Sequence, residues 1–190
     1  KYDFFKNKEE INSYDAIFIS HIHPDHCSEK TLKLIDKKIP IYISNFHAKF
    51  LKFKLENMGF KVIELLNGKR TKIADNFYIN IFAADNCDPE LCYKFTGCAK
   101  LDTSITSSQQ IDSLIVVDDN KHVILNINDC PYELAKSTFN KIETNYKKIN
   151  FLLTSYCGAG PYPQCFNNLK INEKIIQADI KKNQFLEQGL

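Results

Sequence analysis

One short segment constrains this chain more than any other, because three histidines and an aspartate fall within six positions directly after an apolar run. Residues 20–26 read Ser-His-Ile-His-Pro-Asp-His and follow the apolar run 15–19. A sharp turn after a strand can bring His21, His23, Asp25 and His26 onto one metal ion or two neighbouring ones, and their donors suit zinc, iron or manganese. Since the chain has only five histidines and three lie here, we interpret the segment as a metal site rather than a polar surface loop.

Composition bounds the class of protein. The 190 residues are enough for one sizeable core, so we predict a single domain over residues 1–190. The lysines are scattered and the formal net charge is +2, which gives no electrostatic footprint for nucleic acid. No apolar stretch is long enough to span a bilayer, and an odd count of seven cysteines favours reduced thiols. We therefore expect a soluble, cytoplasmic protein whose partner is a small-molecule substrate, with no nucleic-acid or membrane partner.

Short apolar runs alternate with segments of helical periodicity, which is typical of an α/β protein. Turn dipeptides between 62–66 and 77–84 predict that these two strands pair antiparallel. Phe46, Phe50 and Phe53 are expected to form the buried stripe of a helix that Gly59 terminates. The predicted strands are residues 15–19, 41–44, 62–66, 77–84, 113–118, 122–128 and 151–155, and the predicted helices are 29–37, 46–58, 132–147 and 171–187.

A strand followed by His-x-His-x-Asp-His, then a helix and further strands, resembles the metallo-β-lactamase superfamily. The resemblance implies an α/β fold of four layers, the αββα sandwich. Only about fourteen residues precede the first predicted strand, and no histidine follows His122, although the family has a further ligand there. We therefore expect a metallo-β-lactamase-like domain that is truncated or divergent at both ends.

The same resemblance implies roles for individual residues. His21 and His23 would serve one metal, Asp25 and His26 would serve a second, and Asp129 at the end of the strand 122–128 would bridge both. Asp25 would also be catalytic, because a carboxylate beside a metal-activated water can orient that water or carry its proton. The implied cofactors are one or two divalent metal ions, zinc or iron, with manganese also allowed.

Asp85 marks a departure from the family pattern, which places a histidine at the end of a strand between these two motifs. Here the strand 77–84 ends at Asp85. The residue is open to two interpretations: a metal ligand, whose harder carboxylate oxygen would favour iron or manganese, or a turn residue that opens the irregular segment 85–110.

Within the superfamily, the chain is most similar to the hydrolase-like domain of CMP-N-acetylneuraminate hydroxylase and its bacterial relatives. The likeness is carried by residues 14–26, 122–130 and 158–166, but the Cys and His pairs of a Rieske cluster are missing. The resemblance implies a metal-dependent hydrolase that uses a metal-activated water, on a substrate that is sugar- or nucleotide-linked. Two alternatives remain open: a di-iron enzyme that activates oxygen, and a degenerate, non-catalytic binding module.

Overall fold

The computed structural model describes residues 8–85, 112–130, 132, 135–154 and 168–188. The segments 86–111 and 155–167 lie outside the described residues, and with them most of the predicted irregular loop and the Gly- and Pro-rich stretch of the family likeness. The described helices are α1 (Lys8–Ile11), α2 (Glu29–Leu32), α3 (Phe50–Asn57), α4 (Lys136–Asn145) and α5 (Ile171–Gln188). The described strands are β1 (Ile17–Phe18), β2 (Ile41–Ser44), β3 (Val62–Leu65), β4 (Thr71–Ala74), β5 (Phe77–Ala83), β6 (Ser113–Asp118), β7 (Val123–Asn126) and β8 (Phe151–Leu153).

These strands form two sheets. The first is parallel, in the order β1-β2-β3, with Ile17 beside Ile41 and Ile41 beside Val62. The second has the order β4-β5-β6-β7-β8 and is antiparallel except for the parallel pair β7 and β8. The predicted hairpin between 113–118 and 122–128 is confirmed, since Asp118 pairs with Val123 across a turn that contains Asn120.

Three apolar clusters hold the layers together. The first lies between the first sheet and helices α2 and α3 and includes Ile41, Ile43 and Leu55. A second fills the space between the sheets, where Leu65 meets Ile81. The third lies between the second sheet and α4, and is built from the alternate, outward-facing side chains of β5, β6 and β7 together with those of α4. The order is helix, sheet, sheet, helix, which confirms the predicted αββα sandwich.

The buried stripe of α3 differs from the prediction. Phe46 is buried, but Phe50 and Phe53 are 74% and 56% exposed, so their expected place in the core is wrong. The helix begins at Phe50, and its inner face is formed by Leu51 and Leu55, which stand four residues apart. Gly59, at φ +89°, ends the helix as predicted.

The predicted antiparallel pairing of 62–66 with 77–84 is also wrong. The strand Val62–Leu65 pairs parallel with β2, whereas Phe77–Ala83 pairs with Thr71–Ala74, a strand that was not predicted. The turn at Gly68, with φ +73°, carries the chain from one sheet to the other. Apolar periodicity marks both segments as strands but does not say which sheet each one joins.

Two further boundaries differ. The predicted helix 29–37 shortens to Glu29–Leu32, although the expected cap forms: Thr31 N donates to the Ser28 hydroxyl over 3.4 Å. The final strand is Phe151–Leu153, and its three side chains are more than half exposed rather than buried. Within the described part of the chain, no helix is both long and apolar enough to cross a bilayer.

Candidate metal centre

The candidate ligands meet at one edge of the sandwich because of strand direction. His21 follows the end of β1, Asp112 stands immediately before β6, and Asp129 follows the end of β7. β6 and β7 are antiparallel, so the start of β6 lies beside the end of β7. The two sheets are tied together at this edge, where the Ser113 hydroxyl donates to the backbone oxygen of Ser20 over 2.7 Å.

A tight turn then folds the histidine segment onto itself. The backbone oxygen of His23 accepts from His26 N at 3.1 Å and from Cys27 N at 2.7 Å. The turn places the ring of His21 4.7 Å from that of His23 and 4.2 Å from that of His26, measured between ring centroids. In an extended strand these three imidazoles would be separated, but the turn makes them neighbours.

Two groups of side chains have the spacing of a metal site, and His21 belongs to both. The first is His21, His26 and Asp129, and the second is His21, His23 and Asp112; in each, the ligand atoms lie within 4.8 Å of one another. Asp129 Oδ2 is 3.1 Å from His26 Nε2 and 3.5 Å from His21 Nε2. On the other side of the ring, His21 Nδ1 is 3.5 Å from Asp112 Oδ1.

Ser20 holds the rings of two of these histidines. Its hydroxyl oxygen lies 3.0 Å from Nδ1 of His21 and 3.4 Å from Nδ1 of His26. Both imidazoles therefore present Nε2 to Asp129. Fixing one ring nitrogen determines the tautomer and orientation of the other, which is how outer groups usually position metal-binding histidines.

Burial lowers the pKa of His21 and raises the pKa of Asp112. The pKa of His21 falls to about 4, mainly because the ring is buried and further because His26 and His23 stand beside it. The pKa of the Asp112 carboxyl rises to about 6 because it too is buried. His21 is therefore neutral near pH 7, with a lone pair available to a metal.

On the exposed side of the cluster, His26 and Asp129 are bonded to each other, with 3.1 Å between His26 Nε2 and Asp129 Oδ2. The hydrogen bond to Asp129 raises the pKa of His26, and the same bond lowers the pKa of Asp129. Protonated His26 and ionised Asp129 support each other when no cation occupies the space between them. A metal would take the place of that proton.

The residues present fit a metal ion. His21 Nε2 and Asp112 Oδ1 are both buried and have no hydrogen-bond partner. Buried polar atoms in folded proteins are nearly always paired, and two unpaired ones facing a set of nitrogen and oxygen donors are the arrangement that a cation would complete. The donor set is imidazole and carboxylate without thiolate, which suits zinc, iron or manganese.

The other predicted residues are placed as follows. Asp25 is exposed and belongs to neither group, with its Oδ2 3.7 Å from His26 Nε2. Asp85 does not join the cluster either: its carboxylate accepts from Ser137 N at 2.8 Å, from Thr138 N at 3.1 Å and from the Thr138 hydroxyl at 3.0 Å. The carboxylate satisfies free amides at the start of α4, a role that neither interpretation from the sequence included.

Asp112 is the residue that the sequence reasoning missed. Ala84 N donates to the Asp112 backbone oxygen over 2.9 Å, so residues 84 and 112 are neighbours across the sheet although 28 positions separate them in sequence. A carboxylate immediately before the strand 113–118 was the available signal. This carboxylate could not be placed from sequence, because the irregular segment 85–110 separates the strands 77–84 and 113–118 and their pairing cannot be deduced from it.

The sequence matches no protein-family model and no curated protein. Solved structures are similar to it, however. One is an isothiocyanate hydrolase from Delia radicum gut bacteria, with 16% identity and a TM-score of 0.52 over 73% of this chain and 48% of that one. Another is a possible metal-dependent hydrolase from Veillonella parvula, with 12% identity and a TM-score of 0.55 over 94% of this chain and 62% of that one. A third is CmlA, a diiron β-hydroxylase from Streptomyces venezuelae, with 11% identity and a TM-score of 0.53 over 90% of this chain and 30% of that one.

These likenesses show the fold alone: the chain has the metallo-β-lactamase fold. It spans between 30% and 62% of the length of the three structures named. They are named an isothiocyanate hydrolase, a possible metal-dependent hydrolase and a diiron β-hydroxylase. The narrower likeness to CMP-N-acetylneuraminate hydroxylase stays a prediction.

Proposed function

We propose that this protein is a metal-dependent hydrolase that acts on a small molecule. One observation carries the proposal: His21 stands between two ligand groups of metal-site spacing, while its Nε2 and the Oδ1 of Asp112 are buried without a partner. Each buried polar atom left unpaired costs about 1–3 kcal/mol, and these two atoms belong to side chains that can both ligate a metal. A cation at this edge removes that cost.

Five residues would hold metal in this proposal. His23 and Asp112 lie on one side of His21, and His26 and Asp129 lie on the other. A bound zinc, iron or manganese ion would make water nucleophilic near neutral pH and would polarise the bond to be cleaved. Asp129 can also orient a nucleophile between the two groups, since its Oδ2 is within 3.5 Å of both His21 and His26.

Asp25 is the proton carrier that we propose. Its side chain is 56% exposed and stands at the rim of the cluster, near His26. A carboxylate with one face to solvent can accept a proton from an attacking water and return it to a leaving group. The Asp112 side chain is 19% exposed and therefore has less access to solvent, and we assign it to ligation alone.

The similar structures support a hydrolase in a general way, because one is named an isothiocyanate hydrolase and another a possible metal-dependent hydrolase. For the substrate, we propose a sugar- or nucleotide-linked compound. That choice rests on the sequence resemblance to CMP-N-acetylneuraminate hydroxylase.

Oxygen chemistry at a di-iron site is the second candidate. It is favoured by the ligand set, in which Asp112 and Asp129 add two carboxylates to three imidazoles, since hard oxygen donors favour iron or manganese over zinc. The similar fold of CmlA, named a diiron β-hydroxylase, is compatible with it. Two bound iron ions together with dioxygen consumption would establish this candidate, whereas zinc alone would exclude it.

The test is metal analysis of protein purified without chelators, joined to a hydrolase screen on ester- and phosphodiester-linked sugars and nucleotides. We expect one or two metal ions per chain, and a loss of more than 100-fold in metal affinity in His23→Ala, because direct ligands matter more than the outer groups whose loss costs 10–100-fold. His47→Ala is the matched control, since His47 is exposed and belongs to neither ligand group. Absence of stoichiometric metal, or equal metal content in the two variants, would refute the proposal.

A further inference from the structure

A second cleft lies at the far end of the second sheet. It has a volume of about 580 Å³ and opens between the hairpin of β6 and β7 and the residues that follow α4. β6 runs from Ser113, beside the candidate ligands, to Asp118, which lines the cleft. At about 3.3 Å per residue the two ends of this strand are roughly 17 Å apart, and no lining residue of the cleft belongs to either ligand group.

The charges of the cleft are strongly unequal. Arg70, Lys121, Lys147 and Lys148 line it, against a single carboxylate, that of Asp118. Asp118 is 4% exposed and is bound by the Arg70 guanidinium through both of its oxygens, so its charge is already balanced. Three lysines remain without a lining counter-ion.

Two other negative groups near the cleft do not cancel this excess. Asp119, on the adjacent turn, accepts from Lys121 N at 2.9 Å and His122 N at 2.6 Å, and its second oxygen faces the His122 ring at 3.2 Å. The C-terminal end of α4, at Asn145, carries a partial charge of about −0.5. Neither outweighs three full positive charges.

Arg70 is held rigidly with one edge free. Its Nε donates to Asp118 Oδ2 over 2.9 Å, and its Nη2 donates to Asp118 Oδ1 and, over 2.7 Å, to Asn120 Oδ1. The guanidinium also stacks over Tyr78, 3.5 Å from the ring centroid. Nη1 retains two N–H groups that no described residue accepts, and a planar fork fixed in this way suits a phosphate or carboxylate oxygen.

Three asparagines add hydrogen-bonding capacity. Asn120 Oδ1 accepts from Arg70 and Asn150 Oδ1 accepts from Val123 N, so the amide nitrogen of each remains a donor without a partner among the described residues. Asn80 is 2% exposed and lines the buried side of the cleft; its Nδ2 donates to the Tyr146 hydroxyl over 3.1 Å and its Oδ1 is unpaired. The unpaired Oδ1 of Asn80 is an acceptor and would meet a donor group, such as a hydroxyl, on the remainder of a ligand, whereas the free amide nitrogens of Asn120 and Asn150 match an anion.

We propose that this cleft binds a phosphate-bearing small molecule. Several positive charges and several neutral donors match a dianion or larger polyanion better than a single carboxylate, which one Arg would satisfy. The volume lies within the 300–1,000 Å³ of typical small-molecule sites and far exceeds a single phosphate, so the phosphate is one part of a larger ligand. The cleft contains none of the candidate metal ligands, so the test of this proposal is independent of the hydrolase proposal.

Calorimetric titration of the full chain with pyrophosphate, inorganic phosphate and citrate at one fixed ionic strength tests this site. We expect pyrophosphate to bind more tightly than citrate. Replacing Lys121, Lys147 and Lys148 together by Gln should weaken it about ten-fold or more, if each charge contributes about 0.5–1 kcal/mol. The control replaces Lys33, Lys38 and Lys61 by Gln, which are exposed and outside the cleft, and removes the same total charge.

Backbone amide NMR on the same samples locates the ligand. Shifts confined to residues 68–70, 80, 118–123 and 145–150 support the site. Shifts at residues 20–26 would place pyrophosphate at the candidate metal centre and overturn it. Equal weakening in the two lysine triples, equal binding of citrate, or no binding of any anion would also overturn it. Lysine-dependent binding of duplex RNA at concentrations where pyrophosphate does not bind would replace it with a nucleic-acid surface.

Discussion

An aspartate lies at each end of the second sheet, and the two carboxylates differ in their partners; Asp112, with its side chain 19% exposed, is less enclosed than Asp118. At one end Asp118 is 4% exposed and Arg70 binds both of its oxygens. At the other end Asp112 has Oδ1 buried with no hydrogen-bond partner, and burial raises its pKa to about 6. A buried carboxylate that serves the fold is paired, whereas one that awaits a cation carries an electrostatic cost until the cation arrives.

The largest effect that we expect is on stability, at the paired end. Arg70→Met leaves the buried Asp118 carboxylate with only the 3.2 Å bond from Asn120 N. Because the Arg70 side chain is itself 38% exposed, we expect a cost at the lower end of the range for broken buried pairs, about 3 kcal/mol. Urea unfolding measures the loss, while metal content per folded chain should not change. Lys72→Met is the control, since Lys72 and Asp75 form an exposed pair of about 0.5 kcal/mol or less. Similar losses of unfolding free energy in both variants would show that the Asp118 carboxylate does not depend on Arg70 for its stability.

At the other end of the sheet, we expect the unpaired carboxylate of Asp112 to make metal affinity depend on pH. Protons compete with metal for Asp112, whose pKa is raised to about 6, and for His26, whose pKa is also raised. As the pH falls through about 6 Asp112 takes up a proton, so metal affinity falls by about ten-fold per pH unit for that proton. The pKa of His26 is raised by its bond to Asp129, so the proton on His26 competes with metal at a higher pH. His21, with a pKa of about 4, adds to the fall only in more acidic solution.

Competition titrations with a chromophoric chelator between pH 5 and 8 give this slope. In Asp112→Asn the affinity itself should be lower, but its slope against pH should decrease by up to one proton. An unchanged slope would mean that Asp112 does not exchange its proton for metal.

Ser20 is a positioning residue in this scheme, and its loss should have an intermediate effect. Ser20→Ala removes the hydroxyl that lies against Nδ1 of both His21 and His26, and we expect metal affinity to fall about ten-fold, the lower range for outer groups at metal sites. Ser20→Thr keeps the hydroxyl and should restore most of the affinity. Ser44→Ala is the matched control, because the Ser44 hydroxyl is equally buried and has no partner. Equal losses in the two alanine variants would assign Ser20 to packing alone.

The smallest effect concerns Asp85. Asp85→Ala removes the acceptor of two backbone N–H groups at the start of α4 and should cost about 1 kcal/mol of unfolding free energy, with metal content unchanged. Asp85→Asn keeps one side-chain oxygen as an acceptor and should cost less. A loss of one metal ion per chain in either variant would restore Asp85 as a ligand and remove the contrast between capping and ligating carboxylates.

Local patterns in the sequence were enough for the parts of the fold that depend on near neighbours. The histidine turn, the Ser28 cap, the Gly59 helix end and the hairpin at Asn120 all arise from residues a few positions apart, and each was predicted. The His-x-His-x-Asp-His segment even indicated the four-layer fold through its family likeness. These features are readable because the chemistry that determines them is contained in one short stretch of chain.

Tertiary structure decided everything that requires distant strands to meet. Periodicity could not place 62–66 and 77–84 in different sheets, nor show that Asp112 rather than Asp85 faces the histidines. Neighbouring carboxylates at adjacent strand ends are equivalent in sequence, and strand register sends one to the metal cluster and the other to the start of α4. The sequence by itself indicated a candidate metal site at His21–His26. Packing of the two sheets determined which carboxylates lie beside these histidines, because that choice depends on contacts between residues far apart in the chain, such as Ser20 and Ser113.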